Sequence, residues 1–232
     1  MDVLELGVPF SDPIADGPVI QAAVDRALKA GMNTDIAFEI SRRLKKKVPV
    51  VYLTYYNIVL QHGVERFARD CKDVGISGLI IADLPFEESG EVRKACKGCD
   101  VDYIHMVTPN TPPDRMRMIL EDTSGFVYLV STMGITGTRK SLAEGLRDTV
   151  ERTVICAGST PVAVGFGISG PDHVSEVVAM GAGGAIVGSA IVAMAAGGTG
   201  VDKVLDLVDG LKAGTKGRRK PELRVHGSLE KA

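Results

Sequence analysis

The feature that most constrains the fold of this 232-residue chain is a regular alternation of short apolar runs with longer amphipathic ones. The short runs fall at 3–7, 48–53, 78–82, 102–107, 126–131, 161–165 and 184–187. Each is nearly continuous in apolar residues, as in a strand buried on both faces. Between them helical periodicity covers 19–30 with 36–46, then 64–74, 87–97, 113–121, 142–153 and 172–180, with further helices at 190–195 and 201–212. Strand–helix–strand alternation requires parallel strands joined by right-handed crossovers.

Two architectures meet that requirement, an open doubly wound sheet and a (β/α) barrel. The open sheet carries a Gly-x-Gly-x-x-Gly turn after its first strand, and none is present here. Glycines gather instead after the last two strands, Gly165 with Gly167 and Gly183, Gly184 with Gly188, where barrels commonly bind phosphate. A local echo supports repeated modules: residues 75–81 (GISGLII) match 181–187 (GAGGAIV) in glycine spacing and apolar pattern. Seven strands are recognisable where a closed barrel has eight, so the expectation is an α/β TIM barrel lacking its first βα unit. One domain is expected over 1–213, followed by a basic, disordered tail over 214–232 that holds Lys216, Arg218, Arg219 and Lys220.

Composition narrows the function classes. At 45% hydrophobic the chain can bury one large core. A net charge of -2 gives neither a nucleic-acid footprint nor a basic membrane-binding surface. No apolar run reaches transmembrane length, and no basic-then-apolar leader precedes the first strand. Cys71, Cys96, Cys99 and Cys156 therefore read as reduced thiols of a cytoplasmic protein. Cys96 and Cys99 have the spacing of a zinc or redox pair but lack a second ligand pair, and a helix end explains them as well.

Glu5 is a carboxylate inside an apolar strand, on one face with Val3 and Gly7. Apolar surroundings raise its pKa toward neutrality, which suits a proton shuttle; the alternative is a strand-end glutamate reaching solvent. Asp16 stands before Gly17-Pro18 at a helix start, where its plainest role is an N-cap. Pro9, Pro13 and Pro18 stiffen the loop between these acids, and Asp12 is a turn residue by the same reasoning. Backbone N–H groups of Gly167, Gly188 and Ser189 are candidates to converge on a dianion. The segment 131–140 has the length and glycine content of a lid or of a plain long connection. Tyr52, Tyr55, Tyr56, Tyr128 and Phe166 stand at strand ends, where they wall a pocket or pack a core. His62, His105, His173 and His226 show no metal spacing.

Residues 5–13 (ELGVPFSDP) with 15–18 (ADGP), 55–57 (YYN), 82–85 (ADLP), 134–137 (GITG), 165–169 (GFGIS) and 187–190 (VGSA) occur in one order. That ordered set, spanning 3 to about 194, closely resembles the alpha subunits of tryptophan synthase. The resemblance implies a (β/α)8 barrel that cleaves indole-3-glycerol phosphate by a retro-aldol reaction to indole and glyceraldehyde 3-phosphate. It implies Glu5 as acid/base, Asp16 as the carboxylate at the indole nitrogen, and Tyr128 as a third member of the catalytic set. Thr136, Gly137, Gly167, Gly188 and Ser189 match phosphate-cradling positions, and Leu53, Tyr55, Ala82, Met106, Phe166 and Ile186 match the pocket wall. The implied partner is a beta subunit carrying pyridoxal phosphate, in an alpha2beta2 assembly, with Asp12 and Pro13 at the interface. The alpha chain itself is expected to need no metal or organic cofactor.

Two departures stand out. Members of that family open with a helix, a strand and a crossover helix, whereas Met1 falls just before the segment that matches their second strand. Thr132 stands where many members carry a lid arginine. Two other functions fit the pattern: a weakly active or non-catalytic activator of a beta subunit, or another phosphate-binding barrel isomerase or synthase.

Overall fold

A computed structural model describes residues 1–45, 47–131, 139–165 and 167–216. They form two compact units, 2–105 and 106–216. The first holds a parallel sheet in the order β1 (Leu4–Gly7), β2 (Val50–Thr54), β3 (Gly78–Ile81), β4 (Asp102–Tyr103). Its helices are α1 (Pro18–Lys29), α2 (Thr34–Arg43), α3 (Tyr56–His62), α4 (Val64–Asp73) and α5 (Gly90–Gly98). The second holds a parallel sheet in the order β5 (Met106–Val107), β6 (Val127–Val130), β7 (Val162–Gly165), β8 (Gly184–Ala185). Its helices are α6 (Pro113–Glu121), α7 (Arg139–Ala157), α8 (Pro171–Ala179), α9 (Ser189–Ala196) and α10 (Val201–Ala213).

Register sorts each sheet into two faces. In the first unit Glu5 pairs with Val51, and Leu53 with both Gly7 and Ile80. Alternation therefore puts Glu5, Leu53 and, continuing past the strand ends, Tyr55 and Ala82 on one face. The opposite face, with Val50, Tyr52, Leu79, Ile81 and Tyr103, joins the buried cluster of Phe38, Val59, Phe67, Cys71, Val92 and Cys96 from the helices. Tyr52 is a core residue, not a pocket wall. Its ring meets Phe38 and Phe67, its hydroxyl bonds Ser41 Oγ at 2.6 Å, and it donates to Ala37 O at 3.0 Å. In the second unit Met106, Tyr128 and Ala163 share one face, whereas Val107, Leu129 and Val164 are fully buried on the other.

The echoed glycine segments are the same device used twice. Gly75 has φ 74° and Gly181 φ 117°, values open to glycine at little cost. Beyond α4, Ile76 N donates to Cys71 O at 2.8 Å; beyond α8, Ala182 N donates to Val177 O at 3.1 Å. Both are the six-to-one bonds of a Schellman cap that returns the chain to a strand. The Cys96–Cys99 spacing has the same origin. Val101 N donates to Cys96 O at 3.0 Å, and Asp100 takes the left-handed position at φ 51°.

Three sequence expectations change. The run 102–107 is two short strands, β4 pairing with β3 and β5 with β6, because the ladder with β3 ends once Ile104 N has bonded Leu79 O. The helix expected over 36–46 stops at Arg43, where Leu44 turns extended with ψ 130°. Helix α3 was invisible to periodicity because seven residues make barely two turns. Of the expected tail, 217–232 lies outside the described residues.

Candidate active site

Glu5 lies one residue into β1, which places its carboxyl on the face away from the helix layer. The residue keeps some exposed surface, yet its carboxyl is enclosed well enough that burial pushes its pKa up to about 7, and the charge of Asp16 adds to the shift. A carboxyl near 7 is close to equally populated in its two forms at neutral pH, the condition for both giving and taking a proton.

Asp16 does not cap α1. The cap position is Gly17, which makes no side-chain cap bond, and Pro18 opens the helix as its preset φ allows. The Asp16 side chain is diverted to Tyr55, whose hydroxyl donates to Asp16 Oδ2 at 3.0 Å while accepting from Ala15 N at 3.1 Å. Burial raises the Asp16 carboxyl and the Tyr55 bond pulls it back. Burial likewise raises the Tyr55 hydroxyl, keeping it a donor. Tyr55 is 3% exposed, and its ring lies 5.3 Å from that of Phe10. It therefore holds the proline-stiffened loop at Phe10, Ala15 and Asp16, a role its position in the sequence did not reveal.

Asp12 is exposed at the tip of that loop and Pro13 half-buried, next to Ile14 at 82% exposure. Ile14 N donates to Asp12 O and Asp16 N to Pro13 O, two tight turns in five residues.

The second unit carries the remaining described candidates. Tyr128 is buried and lies against Gly165, where a Cβ would stand 2.6 Å from Tyr128 Cε1. The glycine thus makes room for the tyrosine, a pairing the sequence signalled only as a Gly-rich turn. Met106 and Tyr128 share a register row, and Ile186, half-buried, donates its N–H to Val164 O at 2.8 Å beyond β8. Gly167 follows β7 with φ 79°. Gly188 is the cap of α9 and Ser189 its first residue, with no side-chain cap and open space where a Gly188 Cβ would be. Helix N-termini without caps present free N–H groups and positive dipole ends. Thr132, Thr136, Gly137 and Phe166 lie outside the described residues.

Among the described residues no group of three or more His, Cys, Asp or Glu is placed to hold a metal. The cysteines are free thiols. Burial pushes Cys96 up to about 12 and raises Cys71 well above the usual thiol range, so both are protonated and poor nucleophiles. A polar surface cleft lined by Asn33, Asp35, Asn57, Gln61 and His62 includes none of the candidate residues.

Parallel strands alternating with helices through both units define the (β/α) class of protein, with an ionisable pair at strand ends of the first unit and glycine-rich turns at strand ends of the second. The sequence model of the tryptophan synthase alpha chain matches residues 1–212. The tryptophan synthase alpha chain of Methanocaldococcus jannaschii is 49% identical over 190 residues, 81% of this chain and 67% of that one. That of Methanosarcina acetivorans is 46% identical over 217 residues, 93% of this chain and 79% of the relative. The tryptophan synthase α2β2 complex of Pyrococcus furiosus contains a chain with TM-score 0.84 and 37% identity, covering 91% of this chain and 86% of that one. The alpha subunit of Campylobacter jejuni gives TM-score 0.83 at 36% identity, covering 91% and 84%. The chain belongs to the tryptophan synthase alpha chain family. It is a lyase of tryptophan biosynthesis with a (β/α) barrel fold.

Proposed function

We propose that this chain cleaves indole-3-glycerol phosphate with Glu5 as the proton shuttle and Asp16 as the electrostatic partner of the indole ring. Cleavage needs a proton added at the ring carbon that bears the glycerol chain, and a proton removed from the hydroxyl on the adjoining carbon. Protonation places positive charge on the ring nitrogen, where a carboxylate stabilises it. The carbon–carbon bond then breaks, its electron pair returns to the ring as indole, and the hydroxyl carbon becomes the aldehyde of glyceraldehyde 3-phosphate. Every atom of the products comes from the substrate, so the step needs no oxidant, reductant or organic cofactor. The observation that carries this reading is the Glu5 carboxyl at about 7 with Asp16 as its neighbouring charge.

Tyr128 is assigned to the catalytic set, where it shapes the site, and Met106, Leu53, Tyr55, Ala82 and Ile186, with Phe166, to the wall around the indole. Gly167, Gly188 and Ser189, with Thr136 and Gly137, are assigned to the phosphate. The uncapped start of α9 supports the phosphate assignment, since its first N–H groups and dipole favour a dianion. The Pyrococcus furiosus relative is an α2β2 complex. For this chain the proposed partner is a beta subunit bearing pyridoxal phosphate, with Asp12 and Pro13 at the contact and the adjacent, exposed Ile14 as its apolar element. No described helix is long and apolar enough to cross a membrane, and a cytoplasmic location is part of the proposal.

Indole release from indole-3-glycerol phosphate, followed with and without a beta subunit, tests the reading. Glu5→Gln is expected to lower kcat by about 10²–10⁴-fold, the usual worth of a positioned acid/base. Wild-type turnover in Glu5→Gln would remove Glu5 from the chemistry.

A further inference from the structure

A carboxylate that is to act at one point of a substrate has to be held in place by its surroundings. Asp16 is on a loop, and its one described side-chain bond is from the Tyr55 hydroxyl. Tyr55 in turn is the cap residue of α3, with extended backbone (φ -118°, ψ 148°), and it makes no side-chain cap bond of its own. Its side chain is turned toward Ala15 and Asp16 instead. The first N–H of α3, on Tyr56, is nevertheless satisfied: it donates to Asp83 Oδ1 at 2.7 Å. Asp83 lies two residues beyond β3, and Ala82 N donates to Thr54 O, so the two strand ends are stitched together beside this contact.

That bond fixes the plane of the Tyr55–Tyr56 peptide, and with it the direction in which the Tyr55 ring leaves the backbone. A phenol oxygen stands about 6.5 Å from its Cα by standard geometry, so a small peptide rotation moves the hydroxyl by an ångström or more. The hydroxyl must also meet Ala15 N, so its position has little freedom once the backbone is set. We propose that Asp83 is a positioning residue for the cleavage reaction: it pins the start of α3 so that the Tyr55 hydroxyl holds the Asp16 carboxylate in its working orientation.

The relay rests on Asp16 serving the reaction as set out above, and its physical core is testable apart from turnover. Carboxyl-selective NMR of the 232-residue chain reads the titration of Asp16 directly. Glu5, Asp16, Tyr55 and Asp83 interact at this end, and Asp83 also acts on Tyr103, which Arg93 and Tyr56 face as well. Tyr55→Phe removes the bond that lowers the Asp16 pKa, so its titration moves to higher pH. Asp83→Ala moves it in the same direction, and the double variant moves it no further than Tyr55→Phe alone. Asp83→Asn keeps an acceptor oxygen and restores the wild-type titration. It also keeps the test decisive if Asp83→Ala does not fold, because an Asn variant shifted as far as Tyr55→Phe would overturn the relay. In cleavage assays Asp83→Ala lowers kcat ten- to a hundredfold with little change in KM, the scale expected for ångström misplacement of a catalytic group. An unmoved Asp16 titration in Asp83→Ala, or shifts that add in the double variant, refutes the relay. Full turnover in Asp16→Asn refutes instead the role given to Asp16, whatever the titrations show.

Discussion

Glu5→Gln separates the energetic cost of burying this carboxyl from the proton-shuttle role proposed for it. A glutamate has its ordinary pKa near 4.5 in the unfolded chain and about 7 in the fold, chiefly because burial penalises the charged form. Between these values the native state holds a proton that the unfolded state has released, so stability falls as pH rises. Below 4.5 both states are protonated and the glutamate costs nothing extra; above 7 both are ionised and the full penalty is present. At 1.36 kcal/mol per pKa unit that penalty is about 3 kcal/mol, a large share of the ~5–15 kcal/mol that stabilises a typical domain.

Glutamine has nearly the same shape and no proton to lose. Urea unfolding of both chains at several pH values between 4 and 8, followed by circular dichroism, isolates the effect because the other titrating groups are shared. The variant is expected to match the wild type near pH 4 and to exceed it by about 3 kcal/mol at pH 8, with most of the gain appearing between 4.5 and 7. Asp16→Asn shifts the upper end of that window downward but keeps most of it, since burial outranks the Asp16 charge as the cause. A difference that stays flat across the range, or one that favours the wild type at high pH, would mean that Glu5 meets a cation or water and is no neutral-range shuttle.

Gly165→Ala sets a Cβ 2.6 Å from Tyr128 Cε1 and 2.7 Å from its hydroxyl. Ordinary contacts begin near ~3.5 Å, so the ring must retreat by about 1 Å at an overpacking cost of ~1–3 kcal/mol, read as a lowered melting temperature. An unchanged Tm would show that Tyr128 has space the structure denies it. Asp100→Gly relieves the left-handed backbone at φ 51° and gives up an exposed ion pair with Lys72 at 3.4 Å. Net stabilisation of about 0.5–1 kcal/mol is expected by denaturant unfolding, because such an exposed pair contributes little; destabilisation would mean the ion pair outweighs the strain.

The βα order was legible because strands buried on both faces and helices buried on one leave different periods in the sequence, and both recur along the chain. Glu5 was legible for the same reason: a carboxylate in a run that is otherwise apolar is an expensive choice that plain folding does not call for. Asp16 was half legible. Its place before Gly17-Pro18 fits an N-cap, and only the distant Tyr55 hydroxyl shows that the side chain is committed elsewhere. Tyr52 and Tyr55 stand three residues apart at one strand end, on opposite faces by alternation, but which face meets the helices is not written in the strand itself. The end of β2 at Thr54 separates them, leaving Tyr52 among Phe38 and Phe67 and Tyr55 on the loop. Asp83 is the hardest case, because a carboxylate capping a helix 27 residues away leaves no local signature.

Cost and support fall on different layers of the first unit. Glu5, Leu53, Tyr55 and Ala82 lie on the face away from the helices, where a charge is kept at a penalty of about 3 kcal/mol. The opposite face compensates through dense apolar packing: Val51 aside, the buried apolar side chains of β2 and α4, Val50, Tyr52, Val64, Phe67, Ala68 and Cys71, belong to the helix layer. The Schellman caps at Gly75 and Asp100 act at the helix ends, where the chain turns back into β3 and β4, and so touch the supporting layer without touching the site. This division predicts opposite signs. Substitutions that make the site face more apolar or neutral stabilise the chain and slow cleavage, as for Glu5→Gln. Truncation of the helix-side layer, such as Phe67→Ala, costs about 3–5 kcal/mol and lowers activity only as the folded fraction falls. A Phe67→Ala chain that stays folded yet loses turnover would show that the two layers are coupled more tightly than their separate faces imply.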